Sequence, residues 1–403
     1  MERKPFISPS FSYVPLEEVL EIQPKKKRLF IGIPKEDSFQ EKRVALTPEA
    51  VSVLVNRGHE VVVERGAGEG SFYFDHDYSE AGARIVSDKA ELYKATAIIK
   101  SAPISEDEVA WLQPNQVIFS PIHMPLFKKE MLELLMKKKI IAIAFETIKD
   151  DAGNYPIVRS MSEIAGSSAI LTAANYLSNQ NNGKGILLGG ISGVPSAKVL
   201  IIGAGVVGEF AARTALGLGA TVQIFDNSIY RLMRLQNNLG MRLFTSVIEP
   251  VMLAEELRTA DVAVGALKPI NGITPQVVTE EMVKAMKAGS IVVDVSIDGG
   301  GVFETSRTTT HENPIFREFD VVHYCVPNIA SGVSRTASRA ISNILMPILQ
   351  ESADSGGVEG LIQMKAGIRN GVYLYKGCVT NAPIARRFGV KYTDLDLLLT
   401  SQS

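Results

Sequence analysis

The sequence predicts an α/β protein of two doubly wound domains, a central one inserted into a discontinuous outer one. Three observations carry that prediction. Short apolar runs alternate with helical stretches over most of the 403 residues, as in parallel sheets joined by crossover helices. From Lys198 to Asp226, a strand, a glycine-rich turn, a helix and a second strand follow one another. A helix from about Arg335 to Glu351 then leads into a C-terminal segment without strong strand signals, expected to return to the outer domain. On this reading residues 1–156 and 335–403 form the outer domain and residues 157–334 the central one.

The glycine-rich unit reads Lys198-Val-Leu-Ile-Ile-Gly-Ala-Gly-Val-Val-Gly208, with a helix over Glu209–Leu218 and a strand Thr221–Phe225 ending at Asp226. Gly203 permits a tight turn, Gly205 lets the backbone approach a pyrophosphate, and Gly208 allows close helix–strand packing. The helix N-terminus then points free N–H groups at phosphate charge. Asp226 is placed to accept ribose hydroxyls and to repel a 2′-phosphate. The central domain is therefore expected to be a Rossmann domain that binds NAD rather than NADP.

In the outer domain, Leu29–Ile33 reads as a strand, Pro48–Arg57 as a helix closed by Gly58, and Glu60–Glu64 as a strand. Ile98–Lys100, Val117–Phe119 and Ile140–Ala144 are short apolar runs at βα spacing. A long helix is expected from Ser162 to about Leu177, then a polar, glycine-rich loop over Asn179–Gly193. Val262–Gly265, Ile291–Val295 and Val321–Tyr324 complete the second sheet.

Lys and Arg total 42 against 44 for Asp and Glu, so no basic field points to nucleic acid or an anionic membrane. Cys325 and Cys378 are the two cysteines, which suits a reducing compartment, and no Cys/His cluster has metal-site spacing. Residues 1–28 lack an apolar core and carry Glu2, Glu17, Glu18 and Glu21, unlike a secretory or transit signal. Their basic end, Lys25-Lys-Lys-Arg28, reads as a solvated lead-in to the first strand. The most apolar region, 199–225, is broken by glycines and by Glu209 and Arg213, so no span qualifies as transmembrane. A cytoplasmic protein is expected.

Four polar residues lie where open α/β sheets build sites. Arg43, ahead of the helix at Pro48, reads either as a two-pronged grip on a carboxylate or as a surface residue beside Glu41. Lys100 ends the run Ala97-Ile-Ile-Lys100 at a strand's C-terminal edge, with a solvated lysine as the alternative. His123, in Ser120-Pro-Ile-His-Met-Pro125, sits in a proline-stiffened loop where an imidazole can exchange a proton near neutrality. Asp298 follows a strand and precedes three glycines, which permits close ligand approach; an ordinary Asp-Gly turn is the alternative. Asp294 and His323 read as structural, and His59, His76 and His311 as surface residues in turns.

From about Leu29 to about Pro347 the chain resembles the alanine dehydrogenase family, in the wider group that includes the NAD-binding subunit of proton-translocating transhydrogenase. The resemblance rests on Arg43-Val-Ala-Leu-Thr-Pro48, Glu64-Arg-Gly-Ala-Gly-Glu-Gly70, Met161-Ser-Glu-Ile-Ala-Gly166 and Gly203–Gly208. Val293-Asp-Val-Ser-Ile-Asp-Gly-Gly300 and Cys325-Val-Pro-Asn328 extend it.

The resemblance implies a substrate cleft between the two domains. It implies that Arg43 and Lys100 hold a substrate carboxylate, that His123 serves as acid or base at the reacting oxygen, and that Asp298 helps activate water. For NAD it implies Ser162, Val206, Val207, Asp226, Arg231, Ala266, Leu267 and Asn328 beside the glycines. The reaction implied is reversible oxidative deamination of L-alanine to pyruvate and ammonia, in a homo-oligomer, by family precedent a hexamer. Pro121 and Pro125 around His123, and Ser101-Ala-Pro103 after Lys100, depart from the family pattern. An opine- or saccharopine-type oxidoreductase, a transhydrogenase subunit and an NAD-sensing protein without turnover are the alternatives.

Overall fold

A computed structural model describes residues 26–37, 40–124, 126–270 and 272–400. Residues 1–25, which include most of the segment ahead of the first strand, and position 125 of the His123 loop lie outside these.

The first sheet begins with β1 (Phe30–Ile33), β2 (Glu60–Glu64), β3 (Arg84–Val86), β4 (Ala97–Ile99), β5 (Val117–Ser120) and β6 (Ile141–Ala144). The second is formed by β7 (Lys198–Ile202), β8 (Thr221–Phe225), β9 (Phe244–Ser246), β10 (Val262–Gly265), β11 (Ile291–Asp294), β12 (Ile315–Glu318) and β13 (Val321–Tyr324). The chain then returns to the first sheet with β14 (Val372–Tyr375) and β15 (Cys378–Val379).

The sheet orders are β3-β2-β1-β4-β5-β6-β14-β15 and β9-β8-β7-β10-β11-β13-β12. The first six strands of each are parallel, except that β12, β14 and β15 are antiparallel additions at the ends. Both sheets thus have the doubly wound order, with a switch point between β1 and β4 and another between β7 and β10. Helices cover both faces, so β6, β10 and β11 are buried throughout and read as unbroken apolar runs.

Two long helices lie where the chain passes from one sheet to the other. Pro156–Leu177 starts with a proline, whose fixed φ suits a first helical position and whose missing N–H is no loss there. It therefore begins before Ser162. Gly166 presses it onto the helix Val206–Gly217: a Cβ there would sit 2.3 Å from the Val207 carbonyl oxygen. The helix Ser334–Asp354 buries Ile341, Leu345 and Leu349 in the same core as Val51 and Leu54 of the first helix, Pro48–Asn56.

Other expectations shift by a residue or more. β4 ends at Ile99, leaving Lys100 on the loop beyond it. The helix after the glycine turn starts at Val206, not Glu209. His59 is buried, its Nδ1 accepting from Leu29 N at 3.4 Å, rather than on the surface. His323 is fully buried and stacks on Phe316, and Asp294 accepts from Val302 N and Ser306 Oγ at 2.7 Å each, so both are structural. Among the described residues no helix is long and apolar enough to cross a membrane, and no group of three His, Cys, Asp or Glu could hold a metal ion.

Candidate active site

The loops of the two switch points face one cavity of about 330 Å³, whose walls include Arg43, Glu146, Ser162, Val207, Asp298 and Asn328. Ligands in doubly wound sheets bind at the strands' carboxyl ends beside such switch points.

The glycine turn is shaped as a cradle. Gly203 has φ +120°, and a Cβ there would lie 2.3 Å from the Ala266 oxygen at the end of β10. A Cβ on Gly208 would lie 1.9 Å from the Gly203 oxygen, whereas one on Gly205 would meet nothing within 4 Å. The first two glycines are therefore demanded by the protein's own packing. Gly205 borders open space, where a backbone-hugging ligand fits. Glu209 N bonds to Gly205 O at 2.9 Å, so the N–H groups of the first turn have no intrahelical acceptors and point out of the helix.

Asp226 braces this turn from β8. One carboxylate oxygen accepts from Ala204 N at 2.8 Å and the other from Ser228 N at 2.7 Å, and Arg231 pairs with it at 3.7 Å. A carboxylate has further lone pairs for ribose hydroxyls. These residues fit a dinucleotide.

Arg43 is not on the surface, and Glu41 takes one edge of its guanidinium. Its Nε donates to Glu41 Oε1 at 2.8 Å and its Nη2 to Glu41 Oε2, while Nη1 faces Met161 Sδ at 3.3 Å on the cavity wall. Glu41 also accepts from Asn328 Nδ2 and from Ser331 Oγ, each at 3.0 Å. Burial opposes its charge, but the bonds and charge of Arg43, with Asn328, outweigh that and hold the carboxyl below its ordinary value.

Lys100 is not solvated either: it is 1% exposed. Its ammonium donates to Glu36 Oε2 at 2.7 Å and to Glu108 Oε1 at 2.5 Å. Burial would favour the neutral amine, yet the two carboxylates raise Lys100 above its ordinary value and keep it charged. Glu36, which also accepts from Ser101 N at 2.6 Å, is raised by its own burial against the pull of Lys100. With two carboxylates facing one cation, the protonated lysine is the state that governs the cluster. Ser101, not Lys100, reaches the cavity wall.

His123 lines an adjoining cavity of about 260 Å³, and Pro121 forms part of both walls. Asp298 sits on a short 3-10 turn, accessible from the cleft though protein encloses it closely. Burial raises its carboxyl, and nearby His123 pulls it part of the way back. The imidazole and the carboxylate are thus brought together from opposite sheets. Ala266 and Leu267 lie at the end of β10, where Ala266 N bonds to Ile202 O at 2.8 Å and Leu267 O accepts from Ser296 Oγ at 2.8 Å.

The model of the alanine dehydrogenase/PNT N-terminal domain matches residues 32–165, and that of the C-terminal domain matches residues 169–382. The chain belongs to the alanine dehydrogenase/PNT family. An alanine dehydrogenase of Staphylococcus epidermidis is 39% identical over 367 residues, 91% of this chain and 98% of that protein. A solved L-alanine dehydrogenase superposes with a TM-score of 0.83 at 35% identity, covering 89% of this chain and 99% of that one. A transhydrogenase from Sinorhizobium meliloti gives 0.75 at 26% identity, covering 88% and 99%.

Within this alanine dehydrogenase/PNT chain, sequence reasoning missed Glu36, Glu41, Glu108 and Glu146 as parts of the site. Glu36 follows β1 at the switch point, a position that topology marks once the strand order is known. Glu108 lies on the helix Glu106–Trp111 among other acids and carries no distinguishing local signal. Glu146 lies just after β6, as His123 lies after β5, and the same strand-end argument would have found it.

Proposed function

We propose that this chain catalyses the reversible NAD-dependent oxidative deamination of L-alanine to pyruvate and ammonia. The observation that carries the reading is the single cavity joining a carboxylate-binding guanidinium, Arg43, and a proton-handling acid, Asp298, to the helix beginning at the glycine turn. The names of its relatives supply the substrate.

Gly203, Gly205 and Gly208 with Val206 and Val207 would hold the pyrophosphate, and Asp226 the adenosine ribose beside Arg231. Ser162, Ala266, Leu267 and Asn328 would border the nicotinamide end. NAD, when bound, accepts hydride from the substrate Cα. Arg43 holds the substrate carboxylate through the edge of its guanidinium that Glu41 leaves to the cavity, and Lys100 supplies a second fixed positive charge behind Ser101. Asp298 and His123 activate the water that adds to the imine, and they move the protons as pyruvate and ammonia form. Fixed charges in a narrow cleft act without reorganising, which is where most of the acceleration arises.

We also infer a homo-oligomer, a hexamer by family resemblance, in the cytoplasm. The exposed Leu171, on one helix, and Leu187, Ile191 and Val194, on the loop after it, support an oligomer.

The test is NAD reduction on addition of L-alanine, with other amino acids in parallel. L-alanine should be oxidised, and His123→Ala and Asp298→Asn should each lower kcat by about 10²-fold or more while NADH binding holds. Near-normal turnover in either variant contradicts the assignment.

A further inference from the structure

Glu146 has no role in the reading above, yet it occupies the cavity wall. It sits in the short 3-10 turn Phe145–Thr147 after β6, one strand from the His123 loop. Its Oε1 accepts from Ile122 N at 2.8 Å, which ties it to the residue before His123. Its Oε2 is buried and, among the described residues, has no hydrogen-bond partner. The hydroxyl of Ser101, on the same wall, is likewise buried and unpartnered among them. A buried carboxylate oxygen without a donor is costly, and such atoms in native folds mark a ligand, an ion or a water.

Burial pushes Glu146 up to about 7, and among the described residues no charged side chain offsets the effect. Asp298 differs, because His123 already counters its charge. The cavity wall therefore carries a cation, Arg43, and two acids, of which Glu146 has no charged partner among the described residues. An amino acid has the complementary pair of charges, and ammonium is a compact cation with four donors.

We propose that Glu146 is the binding residue for the substrate's amino nitrogen, taking ammonium or the amino group of L-alanine at Oε2 with the Ser101 hydroxyl beside it, opposite Arg43. This rests on the dehydrogenase reading. A cationic nitrogen at Oε2 favours the ionised carboxylate, so binding the nitrogen and ionising Glu146 reinforce each other.

The experiment is reductive amination by the full chain and by Glu146→Gln, with pyruvate, ammonium and NADH each varied in turn. Glutamine keeps a carbonyl oxygen for Ile122 N and loses the charge. The KM for ammonium should rise about 10-fold or more, the loss of one charge-assisted hydrogen bond. The KM for pyruvate and the Kd for NADH should stay within about twofold, because the carboxylate and nucleotide sites are untouched. An unchanged KM for ammonium, or an equal rise in every KM, overturns the proposal. Should the glutamine variant not bind NADH, Glu146→Asp carries the same readout with a smaller rise. An unmutated chain that shows no pyruvate- and ammonium-dependent oxidation instead defeats the dehydrogenase reading itself, and this proposal with it.

Discussion

The Glu41 carboxylate accepts a hydrogen bond from the Asn328 side-chain amide at 3.0 Å, which joins the loop after β1 to the loop after β13. The two loops belong to different sheets, so one carboxylate closes one side of the cleft. Lys42 N, bonding to Ser331 Oγ at 3.0 Å, reinforces the same seam. Because Glu41 also holds Arg43, the cavity-lining guanidinium and this seam between the two sheets share one carboxylate.

Glu41→Gln should therefore be strongly destabilising. It leaves the nearly buried Arg43 without its counter-charge, a loss on the order of 3–5 kcal/mol for a buried pair. The Glu41 carboxyl is held below its unfolded value of 4.5, so its contribution is full above that pH and is lost as pH falls below it. Denaturant titrations should show an acid-side loss in the unmutated chain that is absent from the variant.

Gly205→Ala and Gly208→Ala should part company. An alanine Cβ at 205 meets nothing within 4 Å, so the fold should tolerate it while NADH affinity falls about 10-fold or more through lost backbone approach. At 208 it would lie 1.9 Å from a backbone oxygen, so thermal stability should collapse. Melting curves and NADH titration of both variants check this.

Lys100→Met should leave Glu36 and Glu108 facing each other without a cation. Lys100 is raised above 10.5, so its stabilisation is present below that pH and fades only as pH rises through the folded value. The variant should instead lose stability as pH climbs through the carboxylate range, since the two acids must ionise side by side. Its kcat/KM for L-alanine should fall by about 10²-fold or more, because the buried cation behind the Ser101 wall is lost.

Glu146 makes the opposite kind of pH signature. Its carboxyl binds a proton more tightly folded than unfolded, so stability declines as pH rises from about 4.5 to about 7. Glu146→Gln removes that decline, and the stability gap between the two chains should change by at most about 3 kcal/mol across the window. Guanidinium unfolding at a series of pH values measures it.

Much of this was legible in the sequence because glycine and strand-end chemistry are local. Gly203, Gly205, Gly208 and Asp226 announce their turn through spacing alone, and parallel strands such as β7 and β11 announce themselves as unbroken apolar runs. The edge strands did not: β9 and β12 are short and half exposed, and β3 begins on an exposed Arg84. β14 is the instructive miss, since Val372-Tyr-Leu-Tyr375 is rich in strand formers but too short for periodicity to single out. Arg43 with Glu41 beside it, and Lys100, could be suspected from sequence, but the two carboxylates that hold Lys100 could not. Glu36 and Lys100 are far apart along the chain and meet only because β1 and β4 are neighbours at a switch point.

The most direct test follows NADH absorbance with pyruvate and ammonium added singly and together. Oxidation is expected only when both are present, and is expected to be lost in Arg43→Ala. Equal oxidation with pyruvate alone, or none with both despite confirmed NADH binding, would contradict the dehydrogenase reading.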